Sequence, residues 1–216
     1  GLDYSLYQNG LFRTYAYLPQ FNSANLSIRS FVNRGPEKVI GSRDGLFYIN
    51  EATGIVKSFV KPVLTSDLIL TICFYEGEYY IGTYGGGMMV LNPQTLSLKY
   101  FTQGDTELFQ KGHIFCVKPD NRGNLWIGTS QGLFCYNGQT KQIKNFTSTN
   151  SQLPEGNVYE VSFDSTGKGW IATETGMCIY DPASQSLRSN VFPEGFVHKD
   201  KVRTIYEDAE HNLYFI

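Results

Sequence analysis

The stretch from residue 123 to residue 137, GNLWIGTSQGLFCYN, has two short apolar runs separated by turn-forming residues. This pattern predicts two β-strands joined by a tight turn. Weaker copies of the same stretch stand at residues 38–50, 79–92 and 168–181. A stretch that occurs four times is the structural unit of a repeat protein more often than it is an active site.

The repeat can be followed along the chain when each copy is aligned on the isoleucine of its I-G-T-like triplet. The anchors are Ile40, Ile81, Ile127 and Ile171, at spacings of 41, 46 and 44 residues. Phe215 takes the same place in a fifth copy, 44 residues further on. An apolar pair, a turn, a glycine after the anchor and a final aromatic recur with it, so the repeat is genuine.

Each unit predicts four short strands, which we name a to d in chain order. Strand a is typified by residues 158–164, strand b by 124–129, strand c by 132–137 and strand d by 143–146. Apolar side chains on consecutive positions of strand b indicate that both faces of each sheet are covered. No segment combines a helical apolar period with helix caps, so we expect no long helix.

Four-stranded sheets that repeat every 41 to 46 residues and are buried on both faces are typical of the blades of a β-propeller. The sequence therefore predicts an all-β protein with one propeller domain over residues 1–216. The predicted complete blades are residues 28–62, 67–103, 113–149 and 157–192.

The two ends of the chain predict complementary half blades. Residues 1–16 match strands c and d, and residues 201–216 match strands a and b. Either the halves pair into a fifth blade and close the ring, or the chain is an excerpt of a larger ring, such as one of seven blades. We favour closure with five blades, because it removes exposed sheet edges.

The string D-x-x-G-N-L-W-I-G-T-x-x-G-L-F-x-Y-N at residues 120–137 resembles the two-component-regulator propeller repeat. That repeat fills the periplasmic sensor region of hybrid two-component system histidine kinases, especially in gut Bacteroidetes. The resemblance runs over the whole chain. It is strongest at residues 113–146 and 158–188 and weaker at residues 28–59, where PEKV replaces the G-N-L-W element.

This resemblance implies a periplasmic location and a role in signal transduction. Proteins with this repeat sense glycan fragments, and their propellers precede a β-sandwich, a membrane helix and a kinase. The resemblance therefore implies that the chain is part of a sensor region, that it is not itself an enzyme, and that its partners include the remaining domains of the same sensor chain.

The charge balance excludes some classes of partner. Lys plus Arg number 18 against 20 Asp plus Glu, and no long basic block occurs, so neither nucleic acid nor an anionic membrane surface is expected to bind. No apolar run approaches the roughly 20 residues that span a bilayer, so we expect no direct membrane insertion by this segment. The four cysteines are interpreted as small buried residues, with a disulfide left open.

No catalytic or metal constellation stands out. The glycine-rich stretch at residues 82–87 lacks the Lys-Ser/Thr of a phosphate loop and coincides with a b–c turn. The three histidines His113, His198 and His211 fall in different repeats and are interpreted as solvated loop residues, so no metal and no cofactor are expected. A propeller lyase or hydrolase remains an alternative function.

The surface offers a more promising signal. Propellers bind ligands at the rim where b–c turns and d–a loops converge around the channel. These turns differ between repeats while the strands agree, which is typical of a binding rim and also of plain surface drift. Aromatic residues of the long d–a loops, Phe109, Phe192 and Phe196, either stack on sugar rings, dock the next domain or tuck under their own loops. The rim candidates for ligand binding are Arg43, Asp44, Tyr84, Gln131, Glu174 and His198.

Two functional hypotheses follow from these observations. The first is a binding module that recognises an oligosaccharide or relays its binding to adjacent domains. The second is a structural propeller whose rim or edges serve protein–protein contacts, including a homodimer.

Overall fold

A computed structural model of the chain describes residues 3–8, 11–16, 27–104, 106–189 and 201–216. Within these ranges four antiparallel sheets of four strands follow one another along the chain. The strands of each sheet pair in chain order, so strand a lies at one edge and strand d at the other. The all-β propeller architecture with four-stranded blades that the sequence predicts is confirmed.

The chain begins with a two-stranded antiparallel hairpin and continues into the first two complete sheets. The hairpin consists of β1 (Asp3–Gln8) and β2 (Leu11–Ala16). The first sheet consists of β3 (Ile28–Arg34), β4 (Glu37–Ser42), β5 (Leu46–Asn50) and β6 (Ile55–Phe59). The second sheet consists of β7 (Ile69–Tyr75), β8 (Glu78–Thr83), β9 (Met88–Leu91) and β10 (Leu98–Tyr100).

The third and fourth sheets follow, and the chain ends on a second pair of strands. The third sheet consists of β11 (Ile114–Pro119), β12 (Asn124–Thr129), β13 (Gly132–Asn137) and β14 (Ile143–Phe146). The fourth sheet consists of β15 (Val158–Phe163), β16 (Gly169–Thr173), β17 (Met177–Asp181) and β18 (Ser186–Arg188). The last pair consists of β19 (Ile205–Glu207) and β20 (Leu213–Phe215).

The pairing of β1 and β2 with β19 and β20 into a fifth blade stays a prediction, since each pair forms a two-stranded sheet. Helix α1 (Thr106–Lys111) lies in the d–a loop between the second and third sheets and is the one helix in the described part of the chain. Its Phe109 is fully buried and packs edge-on against Phe101 and Phe134. Phe109 therefore tucks under its own loop, and its use as an exposed stacking surface is wrong.

The first strands of neighbouring sheets are joined directly. The Ser30 hydroxyl accepts a hydrogen bond from the backbone N–H of Ile72 at 2.9 Å. In the next pair of sheets, the Thr71 hydroxyl accepts one from the backbone N–H of Val117 at 3.2 Å. Since each first strand contacts the first strand of the following sheet, these strands form the inner wall of the propeller.

The aspartate of the a–b turn explains why D-x-x-G and tryptophan recur together. The Asp120 carboxylate accepts hydrogen bonds from the backbone N–H groups of Arg122 and Asn124, both at 2.8 Å, and from Trp126 Nε1 at 3.0 Å. Gly123 closes the turn with a positive φ of 79°. One carboxylate thus fixes the turn and the indole of strand b together.

The same arrangement recurs in the next two repeats. The Asp164 carboxylate accepts a hydrogen bond from Trp170 Nε1 at 2.8 Å, and Asp208 accepts one from the Tyr214 hydroxyl at 3.1 Å. His211 stands in the glycine position of the last turn with a positive φ of 65°. It is exposed, as the sequence predicts, and its Nδ1 lies 2.9 Å from a carboxylate oxygen of Glu207.

The Asp164 turn makes the stability of the fourth sheet dependent on pH. Burial alone would raise the pKa of the Asp164 carboxyl, but hydrogen bonds from Thr166, Trp170 and the Lys168 amide outweigh it and lower the pKa. This contribution to stability is therefore complete above the ordinary aspartate pKa of about 3.9 and is lost as the pH falls through the lower folded value. We expect the difference in unfolding free energy between wild type and Asp164→Asn to stay constant from about pH 6 to about pH 5 and to shrink as the pH falls below about 4 toward about 3. Urea denaturation across that range measures it, and a gap independent of pH would contradict the assignment.

The glycine of the I-G-T triplet lets adjacent sheets approach each other closely. A Cβ added at Gly128 would lie 2.5 Å from Cys116 Sγ and 2.7 Å from the Val158 carbonyl oxygen. A Cβ at Gly82 would lie 2.7 Å from Ile114, the first residue of the next sheet. The glycine of the triplet is therefore required by the contact between blades as well as by the geometry of the strand.

Replacing Gly128 with alanine should destabilise the protein by about 2 kcal/mol, because a backbone carbonyl cannot yield as a flexible side chain does. Chemical denaturation measures this loss. Ala172 stands in the same place of the fourth sheet and is fully buried, so its replacement by glycine serves as the matched control. Ala172→Gly should lower the free energy of unfolding by less than Gly128→Ala does. The reverse order would show that lack of space between the blades is not the reason for glycine at residue 128.

Candidate ligand-binding rim

One backbone hydrogen bond, made in all four complete sheets, places the b–c turns beside the start of strand a. In each case the first residue of the b–c turn donates its N–H to the carbonyl of the residue that precedes strand a. The donor and acceptor pairs are Arg43 and Ser27 at 3.1 Å, Tyr84 and Leu68 at 3.0 Å, Ser130 and His113 at 3.2 Å, and Glu174 and Asn157 at 2.9 Å.

A buried hydroxyl fixes each b–c turn from within. It belongs to the last residue of the I-G-T-like triplet and donates to the carbonyl of the glycine that follows the turn. The pairs are Ser42 and Gly45 at 3.1 Å, Thr83 and Gly87 at 2.9 Å, Thr129 and Gly132 at 2.8 Å, and Thr173 and Gly176 at 2.8 Å. The variable side chains of the turns therefore rise from an ordered base, which suits a recognition surface.

A β-bulge interrupts strand a at its second residue in every complete sheet. A bulged residue is left unpaired, and its side chain is turned away from the regular alternation. In the partial copy at the C-terminal end, Arg203 holds the same place in the repeat, directly after the buried Val202. We call these five places the mouth positions, and they are Arg29, Leu70, Phe115, Tyr159 and Arg203.

The mouth positions of the third and fourth sheets carry an aromatic cluster. The Tyr84 ring stacks on His113 with centroids 4.0 Å apart, and the Phe115 ring meets Tyr159 edge-on at 5.2 Å. The His113 and Phe115 centroids lie 6.2 Å apart and join the two pairs. We call Tyr84, His113, Phe115 and Tyr159 the mouth cluster, and it spans the second, third and fourth sheets.

The cluster remains partly accessible. Tyr84 is 50% exposed, and its three partners are half-buried. The interpretation of His113 as a solvated loop residue is wrong, since the ring is covered by Tyr84. Its Nδ1 is buried and has no hydrogen-bond partner among the described residues.

Polar and cationic groups border the cluster. Asn157 Nδ2 donates to the Glu174 carboxylate at 3.0 Å and to the Tyr159 hydroxyl at 3.3 Å. On the other side, Lys201 Nζ and Arg203 Cζ lie 5.1 and 5.2 Å from the centre of the Tyr159 ring. Tyr159 is therefore the residue where the aromatic, carboxylate, amide and cationic groups meet.

The structure brings some of the predicted rim residues together and leaves others apart. Tyr84 belongs to the mouth cluster, and Glu174 reaches it through Asn157. Arg43 and Asp44 are exposed on the turn of the first sheet. Gln131 is exposed beside a pocket of about 140 Å³ between the third and fourth sheets. The residues that lie outside the described ranges are His198, Phe192 and Phe196.

Phe115 and Tyr159 are the rim residues that sequence reasoning missed. A usable signal existed in the spacing of the buried residues on strand a. Ile114 and Val117 are both fully buried although they are three residues apart. When two residues at an odd spacing lie on one face of a strand, a bulge must stand between them. The side chain of the bulged residue then departs from the regular alternation of the strand.

Larger grooves, including the following two, lie between the outer strands of neighbouring sheets and compete with the rim as candidate sites. One of about 500 Å³ lies between the second and third sheets, beside Tyr100 and Lys141. The other, of about 470 Å³, lies between the third and fourth sheets, beside Lys144 and Tyr180. In contrast to the mouth cluster, neither groove is lined by b–c turns, which are the segments that vary between repeats.

The described residues contain no group of three or more His, Cys, Asp or Glu side chains placed to hold a metal ion. Across the same ranges, no helix has the length and apolar character needed to cross a membrane.

Consecutive four-stranded sheets that contact through their first strands define the chain as a β-propeller. The family model of the two component regulator propeller matches residues 109–131, which include strands a and b of the third sheet. The match covers the first half of the third sheet, and the resemblance inferred from the sequence is confirmed.

Solved structures show the same fold over almost the whole chain. The extracellular domain of the hybrid two component system BT3049 from B. thetaiotaomicron superposes with a TM-score of 0.77 at 23% identity, over 98% of this chain and 29% of that one. The extracellular domain of BT4673 from the same organism gives a TM-score of 0.73 at 20% identity, over 94% of this chain and 28% of that one. The chain thus spans about three tenths of the length of these domains, and no curated protein matches it.

Proposed function

We propose that this chain is part of the periplasmic sensor region of a two-component system and that its mouth cluster binds an oligosaccharide. The family repeat and the similarity to extracellular domains of hybrid two component systems support the sensor role. The observation that carries the choice of site is the mouth cluster itself, four aromatic rings contributed by three sheets and bordered by b–c turns.

The chemistry of the cluster suits a sugar ring. A pyranose has an apolar face of C–H groups and a rim of hydroxyls, so its binding site needs an aromatic surface with a few polar groups at the edge. Tyr84 and Phe115 offer partly accessible rings. The Asn157 amide lies against the Tyr159 hydroxyl and contacts the Glu174 carboxylate, so the two groups can donate and accept hydrogen bonds at the edge of the cluster.

The cluster is also placed to report binding to the rest of a sensor chain. A ligand that bridges Tyr84, Phe115 and Tyr159 would hold the second, third and fourth sheets in one relative arrangement. Binding energy that differs between two arrangements of the blades shifts the population toward one of them. We propose that the adjacent domains of the same chain read this shift, and that the propeller itself performs no catalysis.

Protein–protein contact is a second candidate function, because the free face of the first sheet is apolar. Ile28 and Phe31 are 49% and 47% exposed, whereas their counterparts Ile114 and Val117 are fully buried against the preceding sheet. This face therefore suits another blade or another protein. Light scattering over a range of concentrations tests it, and a mass that stays at one chain throughout would exclude a homodimer.

Thermal unfolding across a panel of plant and host oligosaccharides tests the proposed function. A ligand that binds only the folded state must raise the unfolding midpoint by mass action. We expect one chemical class of saccharide to raise the midpoint and the others to leave it unchanged. A cooperative transition that no saccharide shifts would overturn the assignment of an oligosaccharide site to this chain.

A further inference from the structure

We infer that the oligosaccharide recognised at the mouth is acidic, with a carboxylate or sulfate group that the cations beside Tyr159 bind. This inference rests on the proposed function of the mouth cluster as a saccharide site. It adds the chemical class of the ligand, which neither the repeat nor the fold specifies.

The cations at the mouth are accessible, and no carboxylate of the described residues pairs with them. Lys201 and Arg203 are exposed, and both lie within 5.2 Å of the Tyr159 ring centre. The ion pairs of the described ranges do not include either of them. Within the described part of the chain, their positive charge is therefore available to a ligand.

The distribution of residue types over the mouth positions supports the same conclusion. The five places hold an apolar or aromatic side chain in the second, third and fourth sheets and an arginine at each end, Arg29 and Arg203. None of the five places holds a carboxylate. An aromatic ring bordered by a guanidinium group, as Tyr159 is by Arg203, fits a sugar with a negatively charged substituent better than a neutral one.

The described carboxylates nearest to Tyr159 do not neutralise Lys201 and Arg203. Glu160, which follows Tyr159, lies 3.6 Å from Lys118 Nζ, so these two charges compensate each other along the inner strands. Glu174 accepts the Asn157 amide, which leaves its remaining lone pairs for sugar hydroxyls. The groups that face an acidic substituent beside Tyr159 are therefore Lys201 and Arg203.

The geometry also explains why arginine suits this place. A guanidinium beside an aromatic ring keeps its N–H edge free while the ring contacts its flat face. That edge forms paired hydrogen bonds with a carboxylate or a sulfate. The sugar ring would then rest on Tyr84 and Phe115, and its acidic group would reach toward Arg203.

The test compares matched saccharides that differ only in the acidic group. Titration calorimetry would use trigalacturonate and its methyl ester, and a sulfated chondroitin disaccharide and its desulfated form. We expect at least one acidic member to bind about tenfold more tightly than its matched, less charged partner, and that preference to weaken with added salt. The pair that shows the preference identifies carboxylate or sulfate as the recognised group.

Two variants assign the preference to the mouth. Arg203→Gln should remove most of it, because the affinity for the acidic member falls toward that for its less charged partner. Lys144→Gln is the matched control, because Lys144 also lies over an aromatic ring, Phe146, but on the outer strand of the third sheet. The control should keep the full preference.

The failures are distinguishable. Equal binding of acidic and less charged partners would overturn the inference and leave the proposed function standing. A preference that survives Arg203→Gln but disappears in Lys144→Gln would also overturn it and place the site in the groove between the third and fourth sheets. If none of the four saccharides binds and no saccharide of the wider panel raises the unfolding midpoint, the proposed function is overturned and this inference is overturned with it.

Discussion

Truncation of Trp126 to alanine is expected to lower the free energy of unfolding by about 3–5 kcal/mol. Trp126 has no exposed surface and lies between the third and fourth sheets. Its ring packs 4.5 Å from Tyr180 and 5.9 Å from both Phe146 and Phe163. The variant would leave a cavity between two blades and would also deprive the Asp120 carboxylate of one of its hydrogen-bond donors.

Trp170→Ala is the matched control, because Trp170 takes the same place in the next repeat. It donates the same hydrogen bond to the turn aspartate but is only half-buried. Urea denaturation of both variants should show a smaller loss for Trp170→Ala, about 1–2 kcal/mol. Equal losses would mean that the bond between indole and aspartate, rather than packing between the blades, sets the stability of this position.

The fold was predictable because the contacts that define each repeat join residues close together in the sequence. Trp126, Asp120 and Gly123 stand at fixed spacings since a single turn joins them, and any copy of the unit shows the same relation. Gly128 recurs for a different reason, which a single copy does not reveal. Its lack of a side chain leaves room for Cys116 of the same sheet and Val158 of the next sheet. Val158 approaches Gly128 only because the two sheets stack on each other.

The candidate site was predictable only in part, because it depends on how different repeats meet. Tyr84 and Glu174 were found from the divergence of the turns, which is visible in the sequence. Phe115 and Tyr159 belong to strand a and were hidden among buried neighbours, since the bulge that sets them apart is a backbone feature. The burial of Phe109 was not decidable from sequence, because it depends on α1 closing the loop against the third sheet.

The second large effect is expected at the mouth cluster. Tyr159→Ala should weaken binding of the recognised saccharide by about thirtyfold, equivalent to about 2 kcal/mol. Tyr159 contacts the Phe115 ring, Asn157 and the cation of Arg203, so its removal takes away a stacking surface and the support of the polar groups around it. Titration calorimetry with the saccharide selected by the thermal panel measures this loss.

Two further variants show whether the loss arises from the proposed geometry. Tyr159→Phe keeps the ring but loses the hydroxyl that Asn157 contacts, so it should weaken binding only a few-fold, about 1 kcal/mol or less. Tyr100→Ala removes a partly exposed tyrosine from the groove between the second and third sheets and should leave affinity unchanged. If Tyr100→Ala abolished binding and Tyr159→Ala did not, the ligand site would lie on the outer strands, and the b–c turns would vary because nothing constrains them.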